Sequence, residues 1–212
     1  MVRKTKEEAQ ETRNAILDAA ELVFQEHGVS RTSLAEIAKA AGVTRGAIYW
    51  HFANKADLFD AMVQRVFGLL ELKVAELEAE NDANPVELIR KLALYFIDRV
   101  SKDPRYFRIV EISWHKCEYV GEMAAIRDSH LECGNRYLAI TEECFRKAQL
   151  RGFLPASLDP RCAAVGMMAV VDGLVLNWTL DNTLFPLAGY GPKAISAYLN
   201  GLYTSSFPSS EK

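Results

Sequence analysis

Thr44-Arg45-Gly46-Ala47-Ile48-Tyr49-Trp50-His51-Phe52 reads as a short helix with a surface unlike that of an ordinary soluble helix. Thr44 has a side chain able to cap its start. Arg45, Tyr49, Trp50 and His51 then crowd together with no acid among them. Just before it lies Ser33-Leu34-Ala35-Glu36-Ile37-Ala38-Lys39-Ala40-Ala41-Gly42-Val43. Ser33 and Glu36 have capping-box spacing. Leu34, Ile37, Ala38 and Ala41 recur at helical spacing, and Gly42 is a stop signal. Two short helices joined by a tight glycine-containing turn are the layout of a helix-turn-helix. Ile48 and Phe52 are expected to face inward. Arg45, Tyr49 and His51 keep their polar ends for another surface.

A helical hairpin alone is compatible with any all-α domain. The run from Thr32 to Lys55, TSLAEIAKAAGVTRGAIYWHFANK, is more specific: it resembles the DNA-binding motif of the tetracycline-repressor (TetR) family. Two other segments, Arg3-Lys4-Thr5-Lys6-Glu7-Glu8-Ala9 and Trp114-His115-Lys116-Cys117-Glu118-Tyr119-Val120-Gly121-Glu122-Met123, are similar to the AcrR-type members, repressors of multidrug efflux pump operons.

The 212 residues suffice for one domain or two small ones with a sizeable core. The formal net charge of −3 is opposite to that expected of a nucleic-acid binder. It is unevenly spread: residues 1–55 carry eight Lys/Arg against seven Asp/Glu, and the remainder seventeen against twenty-one. Placed side chains can bind phosphate without a basic whole. Four cysteines, Cys117, Cys133, Cys144 and Cys162, show neither CxxC spacing nor a disulfide framework, and read as small buried hydrophobes in a reducing compartment. The N-terminus lacks the apolar core of a signal peptide, and the longest apolar run, Cys162 to Val171, is too short to span a bilayer. The expected location is the cytoplasm, with no membrane partner.

Every segment reads as helix, and none shows strand alternation. Residues 1–6 read as a flexible basic arm, with a frayed, solvated terminus as the plainer alternative. The first helix covers roughly Glu7 to Glu26, with Ile16, Leu17, Ala20, Val23 and Phe24 in one apolar stripe. After the two motif helices a long helix begins at Lys55 and reaches about Glu80, about 39 Å at about 1.5 Å per residue. Asn81-Asp82-Ala83-Asn84-Pro85 breaks it. Further helices are predicted over Val86 to Val100, from Pro104 to about Cys117, and from Met123 to about Gln149. Asp159-Pro160 opens another, to about Leu180. A loop containing Pro186, Gly189 and Gly191 leads to the last, from Pro192 to about Ser205. The expected architecture is all-α with about nine helices: a DNA-binding domain over residues 1–54, a ligand-binding and dimerisation domain over 55–206, and a disordered tail over 207–212.

Arg45 can present a bidentate fork to guanine in the major groove, with a surface ion pair as the plainer alternative. Gly46, lacking a side chain, would let the helix backbone approach the bases. Tyr49 and His51 can donate to phosphate oxygens, contacts that position without specifying. Lys55, at a helix N-terminus, is placed to favour a phosphate, and Thr32 and Ser33 open the preceding helix similarly. Thr44 joins this DNA-facing set as the cap. Trp50 fits either the DNA face or the core. In the TetR family, matching positions play these roles.

A second constellation comprises Phe107, Val110, Glu111 and Trp114 along one side of a helix, where a plain core stripe is the alternative. Glu111 conflicts with plain core, because a buried carboxylate needs a partner. Val171 and Asp172 fall in a very apolar helix that an acid and a glycine interrupt together, and local conflicts of this kind mark function. The resemblance implies a ligand cavity between these helices, and such residues suit an aromatic or cationic guest. For Asp172 an interhelical hydrogen bond or a dimer contact stays equally open. The last two helices carry wide apolar faces that suit a self-paired four-helix interface or internal core. The resemblance favours a homodimer, and one short recognition helix reads only half of a palindromic operator.

The reading that follows is a ligand-responsive repressor of an efflux operon, or of a metabolic or envelope operon. An enzyme with a vestigial DNA motif is the alternative from another class, yet no nucleophile–base pair, metal spacing or phosphate loop supports one. A non-specific architectural DNA protein is opposed by the acidic remainder. No catalytic residue, metal or cofactor is expected.

Overall fold

The computed structural model describes residues 6–79 and 84–204. The expected arm before Lys6, the far side of the break at residues 80–83 and the tail over 207–212 lie outside the described residues. Among those described there are nine α-helices and no strand: α1 (Lys6–His27), α2 (Leu34–Ala40), α3 (Arg45–His51), α4 (Lys55–Ala79), α5 (Pro85–Lys102), α6 (Pro104–His115), a 3-10 turn (Gly121–Met123), α7 (Ala124–Leu150), α8 (Pro160–Leu180) and α9 (Leu187–Thr204).

The boundaries follow local chemistry. The Ser33 hydroxyl accepts from the Glu36 N–H while the Glu36 carboxylate accepts from the Ser33 N–H, so the expected capping box is complete. Thr44 Oγ1 accepts from the Ala47 N–H at 3.2 Å and starts α3. Between them Gly42 takes a left-handed φ of 67°, which a residue with a Cβ adopts only under strain. Asp159 accepts from the N–H groups of Arg161 and Cys162, with Pro160 in the first turn of α8.

The last helix starts earlier than its sequence suggests. α9 begins at Leu187, so Gly189, Gly191 and Pro192 lie inside it rather than in a loop. The Pro186 carbonyl accepts from the N–H groups of Gly189 and Tyr190, each at 2.9 Å, and starts the helix there. A Cβ on Gly191 would come within 2.9 Å of Ile97 on α5, so this residue type lets α9 approach α5. Packing overrides the poor helix propensity of glycine and proline.

The chain divides into two compact units that do not follow the linear 54/55 boundary. Unit 1 comprises the described residues up to Gly68 together with Arg108–His130, and unit 2 the described residues of Leu69–Phe107 and from Leu131 onward. In unit 1, α1, α2 and α3 pack on one another around Ile16, Leu17, Phe24, Ile37, Ile48 and Phe52, each no more than 1% exposed. Burial of one such side chain contributes roughly 1.5–3 kcal/mol. In unit 2, α9 packs against both α5 and α8, and Ile97 of α5 and Ile195 and Leu199 of α9 are buried.

Candidate nucleic-acid interface

Unit 1 holds α3 by its inward residues. Ile48 is fully buried and Phe52 nearly so, as the sequence indicates. Arg13 of α1 lies 5.0 Å over the Phe52 ring, a cation–π contact that fixes the end of α3 from outside. The opposite side of α3 is open. Arg45 and Gly46 are exposed, Tyr49 is 48% exposed and Trp50 is 73% exposed. Trp50 therefore lies on the open side and not in the core. The Arg45 guanidinium sits 5.7 Å over the Tyr49 ring, and the Trp50 ring meets the edge of His51 at 4.5 Å. These contacts hold a cation and three rings on one short helix. Such a surface can donate bidentately to a base edge and to phosphates. Ser33 and Thr44 are also exposed, each using its hydroxyl as a cap.

Two residues are placed differently from the expectation. Thr32 is 3% exposed, and its hydroxyl donates to the Gly28 carbonyl at 2.8 Å. Lys55 is 7% exposed. Its ammonium donates to the Ser30 carbonyl at 3.2 Å and the Thr32 carbonyl at 3.0 Å, and pairs with Glu122 at 2.8 Å. A lysine's three donors are thereby used inside the protein. The spacing to the α4 start is correctly read, but the tertiary fold carries the loop after α1 over the ammonium.

The same unit contains a polar network that the sequence does not reveal. Glu21 is 1% exposed and is satisfied by Arg65 of α4 at 3.0 Å and Arg108 of α6 at 3.3 Å. Removing one partner of a buried ion pair costs about 3–5 kcal/mol. Arg108 also donates to the Gln25 side-chain oxygen, and Gln25 Nε2 donates to Glu111 at 2.7 Å. Lys116 pairs with Glu111 at 2.9 Å and donates to the Gln25 carbonyl at 2.6 Å, while its own carbonyl accepts from the Val29 N–H at 2.9 Å. The conflict posed by Glu111 is thus resolved by partners on α1 and at the end of α6. It is a tie within unit 1, and the carboxylate is already neutralised.

The six expected ligand residues do not fall in one unit. Val110, Glu111 and Trp114 belong to unit 1, and Phe107, Val171 and Asp172 to unit 2. Val110 is fully buried and Trp114 half-buried. Phe107 meets Trp178 of α8 edge to face at 5.5 Å, an aromatic partner that lies outside the expected ligand set. Asp172 is exposed on α8, and partial dehydration by the apolar side chains around it raises its carboxyl to about 6. Among the described residues no group of three His, Cys, Asp or Glu is placed to hold a metal. Of the four cysteines, all free, only Cys144 is buried; Cys117 and Cys133 are half-buried and Cys162 is exposed, so the expectation that all four are buried fails for three.

The sequence pattern of the bacterial regulatory proteins of the tetR family matches residues 16–62. That of the C-terminal region of MAATS-type transcriptional repressors matches residues 84–204. The chain is 45% identical over 209 residues to the HTH-type transcriptional regulator TtgR of Pseudomonas putida, covering 97% of this chain and 98% of TtgR. Its fold is similar to that of NalD, the secondary repressor of the MexAB-OprM multidrug efflux pump in Pseudomonas aeruginosa. That match has a TM-score of 0.86 and 33% identity, and covers 95% of this chain and 100% of NalD. It is also similar to SmeT in its complex with triclosan, with a TM-score of 0.82 and 30% identity over 95% of this chain and 96% of SmeT. These matches span both the α2–α3 reading head and the helices that follow it. The chain belongs to the TetR family of bacterial transcriptional regulators.

Proposed function

We propose that this protein is a homodimeric, ligand-responsive repressor of a multidrug efflux operon, acting in the cytoplasm on a palindromic operator. The observation that carries the reading is the open side of α3, where Arg45, Tyr49 and Trp50 stand exposed on a helix anchored by Ile48 and Phe52. NalD, a repressor of a multidrug efflux pump, supports the choice of operon. Arg45 and Gly46 face the base edges, Tyr49, Trp50 and His51 flank them, and Ser33 and Thr44 place the two helix N-termini near phosphates. Residues 1–54 serve as the DNA head and residues 55–206 as the ligand-binding and dimerisation part.

The homodimer is supported by apolar side chains left open on α8 and α9: Val165, Leu176 and Leu180 on the first, Tyr190 and Tyr203 on the second. A pair of heads about 34 Å apart reads two half-sites one DNA turn apart. An aromatic or cationic effector is supported by the SmeT complex with triclosan and by Phe107, Val171 and Asp172 of unit 2. With Glu111 neutralised, Asp172 is the acid left in the expected set to attract a cation. α4 begins in unit 1 and ends in unit 2, so its tilt is the lever for release. An effector shifts the equilibrium only by its differential affinity for the two arrangements.

The test is footprinting of the protein on the DNA upstream of its own gene and of neighbouring transporter genes, with sedimentation in parallel. A protected palindrome, a dimer at low micromolar concentration and loss of protection with a panel of aromatic and cationic antimicrobials are expected. Protection of arbitrary DNA without preference, or a clean monomer, overturns the reading.

A further inference from the structure

Two half-buried tyrosines of this protein end on backbone oxygens. Tyr119 Oη donates to the Ser113 carbonyl at 2.9 Å, and Tyr198 Oη to the Ala163 carbonyl at 2.7 Å. Tyr137 of α7, in unit 2, does not. Its side chain is half-buried and its hydroxyl is shut off from solvent, yet that hydroxyl has no hydrogen-bond partner. A buried hydroxyl without a partner is a net cost to the fold and calls for an explanation. Among the described residues Arg99 Nε is in the same position, but the rest of that guanidinium is held by Asp103 and lies 4.7 Å over the Tyr106 ring. Tyr137 has one polar side-chain atom and nothing else to offset it.

The surroundings of Tyr137 come from α4, α6 and α7 within unit 2. The preceding residue, Arg136, pairs with Glu71 of α4. Burial first, and then Cys133, Glu71 and Tyr106, push the phenol above its ordinary value, so it keeps its proton and acts as a donor. There is also room on this face. Gly134 lies one turn earlier on the same side of α7. It is half-buried, yet a Cβ there would meet no atom within 4 Å. Gly173, next to Asp172 on α8, is half-buried with the same open space. Glycine inside a helix is less stable than alanine, and no close contact requires it at Gly134.

We propose that the Tyr137 hydroxyl donates a hydrogen bond to an uncharged acceptor, such as a carbonyl oxygen, on an aromatic effector that occupies the space beside Gly134. Tyr137 is then a specificity-determining residue, and the effector class narrows to an aromatic body that carries a hydrogen-bond acceptor. An apolar analogue of the same shape fills the same space but leaves the hydroxyl unpaired, so the acceptor sets the preference. The negative charge of Glu71 acts on this phenol and disfavours an anionic acceptor. The inference rests on the effector reading above for its consequence at the operator; the contact itself is a property of the free protein.

The experiment titrates the full chain, without DNA, with benzophenone and diphenylmethane, two rings joined by a carbonyl in the first and by a methylene in the second. Benzophenone should bind about tenfold more tightly. Tyr137→Phe should abolish that preference and leave diphenylmethane unchanged. The carbonyl stretch of bound benzophenone should lie at lower frequency on the unaltered protein than on Tyr137→Phe. Without ligand, Tyr137→Phe should raise the melting temperature by a few degrees, because the unpaired hydroxyl is gone. Gly134→Leu should weaken both compounds at least tenfold without lowering the melting temperature. Equal affinity for the two compounds, an unchanged preference in Tyr137→Phe, or no binding of benzophenone up to its solubility limit overturns the proposal. A lower melting temperature for Tyr137→Phe also overturns it, by showing that the hydroxyl has a partner within the protein. Operator release is measured separately, so its absence counts against the repressor reading and not against the contact.

Discussion

The ammonium of Lys55 donates to the carbonyl oxygen of Thr32 across 3.0 Å, from the first residue of α4 to the turn before α2. With Ser30 and Glu122 as further acceptors, this contact fixes the start of the long helix to the loop that precedes the reading head. Lys55→Met therefore removes two hydrogen bonds to a charged donor and strands two carbonyls. The expected loss of stability is about 1.5–3 kcal/mol, measured by urea unfolding. The salt dependence of operator binding should keep its slope. A slope shallower by about 0.9 would show that Lys55 neutralises a phosphate after all.

Arg45→Ala should weaken operator binding by about 1–3 kcal/mol and relax preference at one base position. The guanidinium is exposed, and its neighbour is the Tyr49 ring, so folding should be unaffected. Binding titrations against operators varied one base at a time provide the check, and unchanged base preference removes Arg45 from the groove.

Gly166→Ala tests the packing of α8 on α9. A Cβ there would approach the Tyr198 hydroxyl to 2.3 Å, and that hydroxyl donates to the Ala163 carbonyl at 2.7 Å. Either the ring shifts and the hydrogen bond is lost, or the helices part. The expected cost is about 1–3 kcal/mol, partly recovered in the double variant with Tyr198→Phe, as read from thermal unfolding of all three proteins. Full stability of Gly166→Ala alone contradicts the close approach.

Asp172 carries a pH signature. Its folded value of about 6 lies above the ordinary carboxylate value, because apolar surroundings favour the protonated form. The folded state then binds the proton more tightly than the unfolded chain, so stability from this group falls as pH rises from about 4 to about 6. Asp172→Asn should raise the melting temperature at pH 7 and flatten the decline over that window, as measured by thermal scans between pH 4 and pH 8. A lower melting temperature for the variant at pH 7 would mean that the ionised carboxylate has a stabilising partner.

The sequence by itself determined the helical class, most element boundaries and the reading helix. These are local properties: the Ser33–Glu36 box, the Thr44 cap, the Asp159-Pro160 start and the inward Ile48 and Phe52 all act within about one helical turn. The exposure of Arg45 and Tyr49 was legible for the same reason, since a seven-residue helix that buries Ile48 has an opposite side. Only the tertiary structure decided where long side chains find partners. Lys55 meets Thr32 and Ser30 across more than twenty residues, Glu21 meets Arg65 and Arg108 from other helices, and Glu111 meets Gln25 of α1. No periodicity encodes such pairings, because each depends on which helices become neighbours. The start of α9 at Leu187 was likewise set by its approach to Ile97 on α5, against the local preference of Gly189, Gly191 and Pro192. Local sequence fixes helices through bonds one turn long, whereas burial of charge is settled by chain segments that meet only once the core has formed.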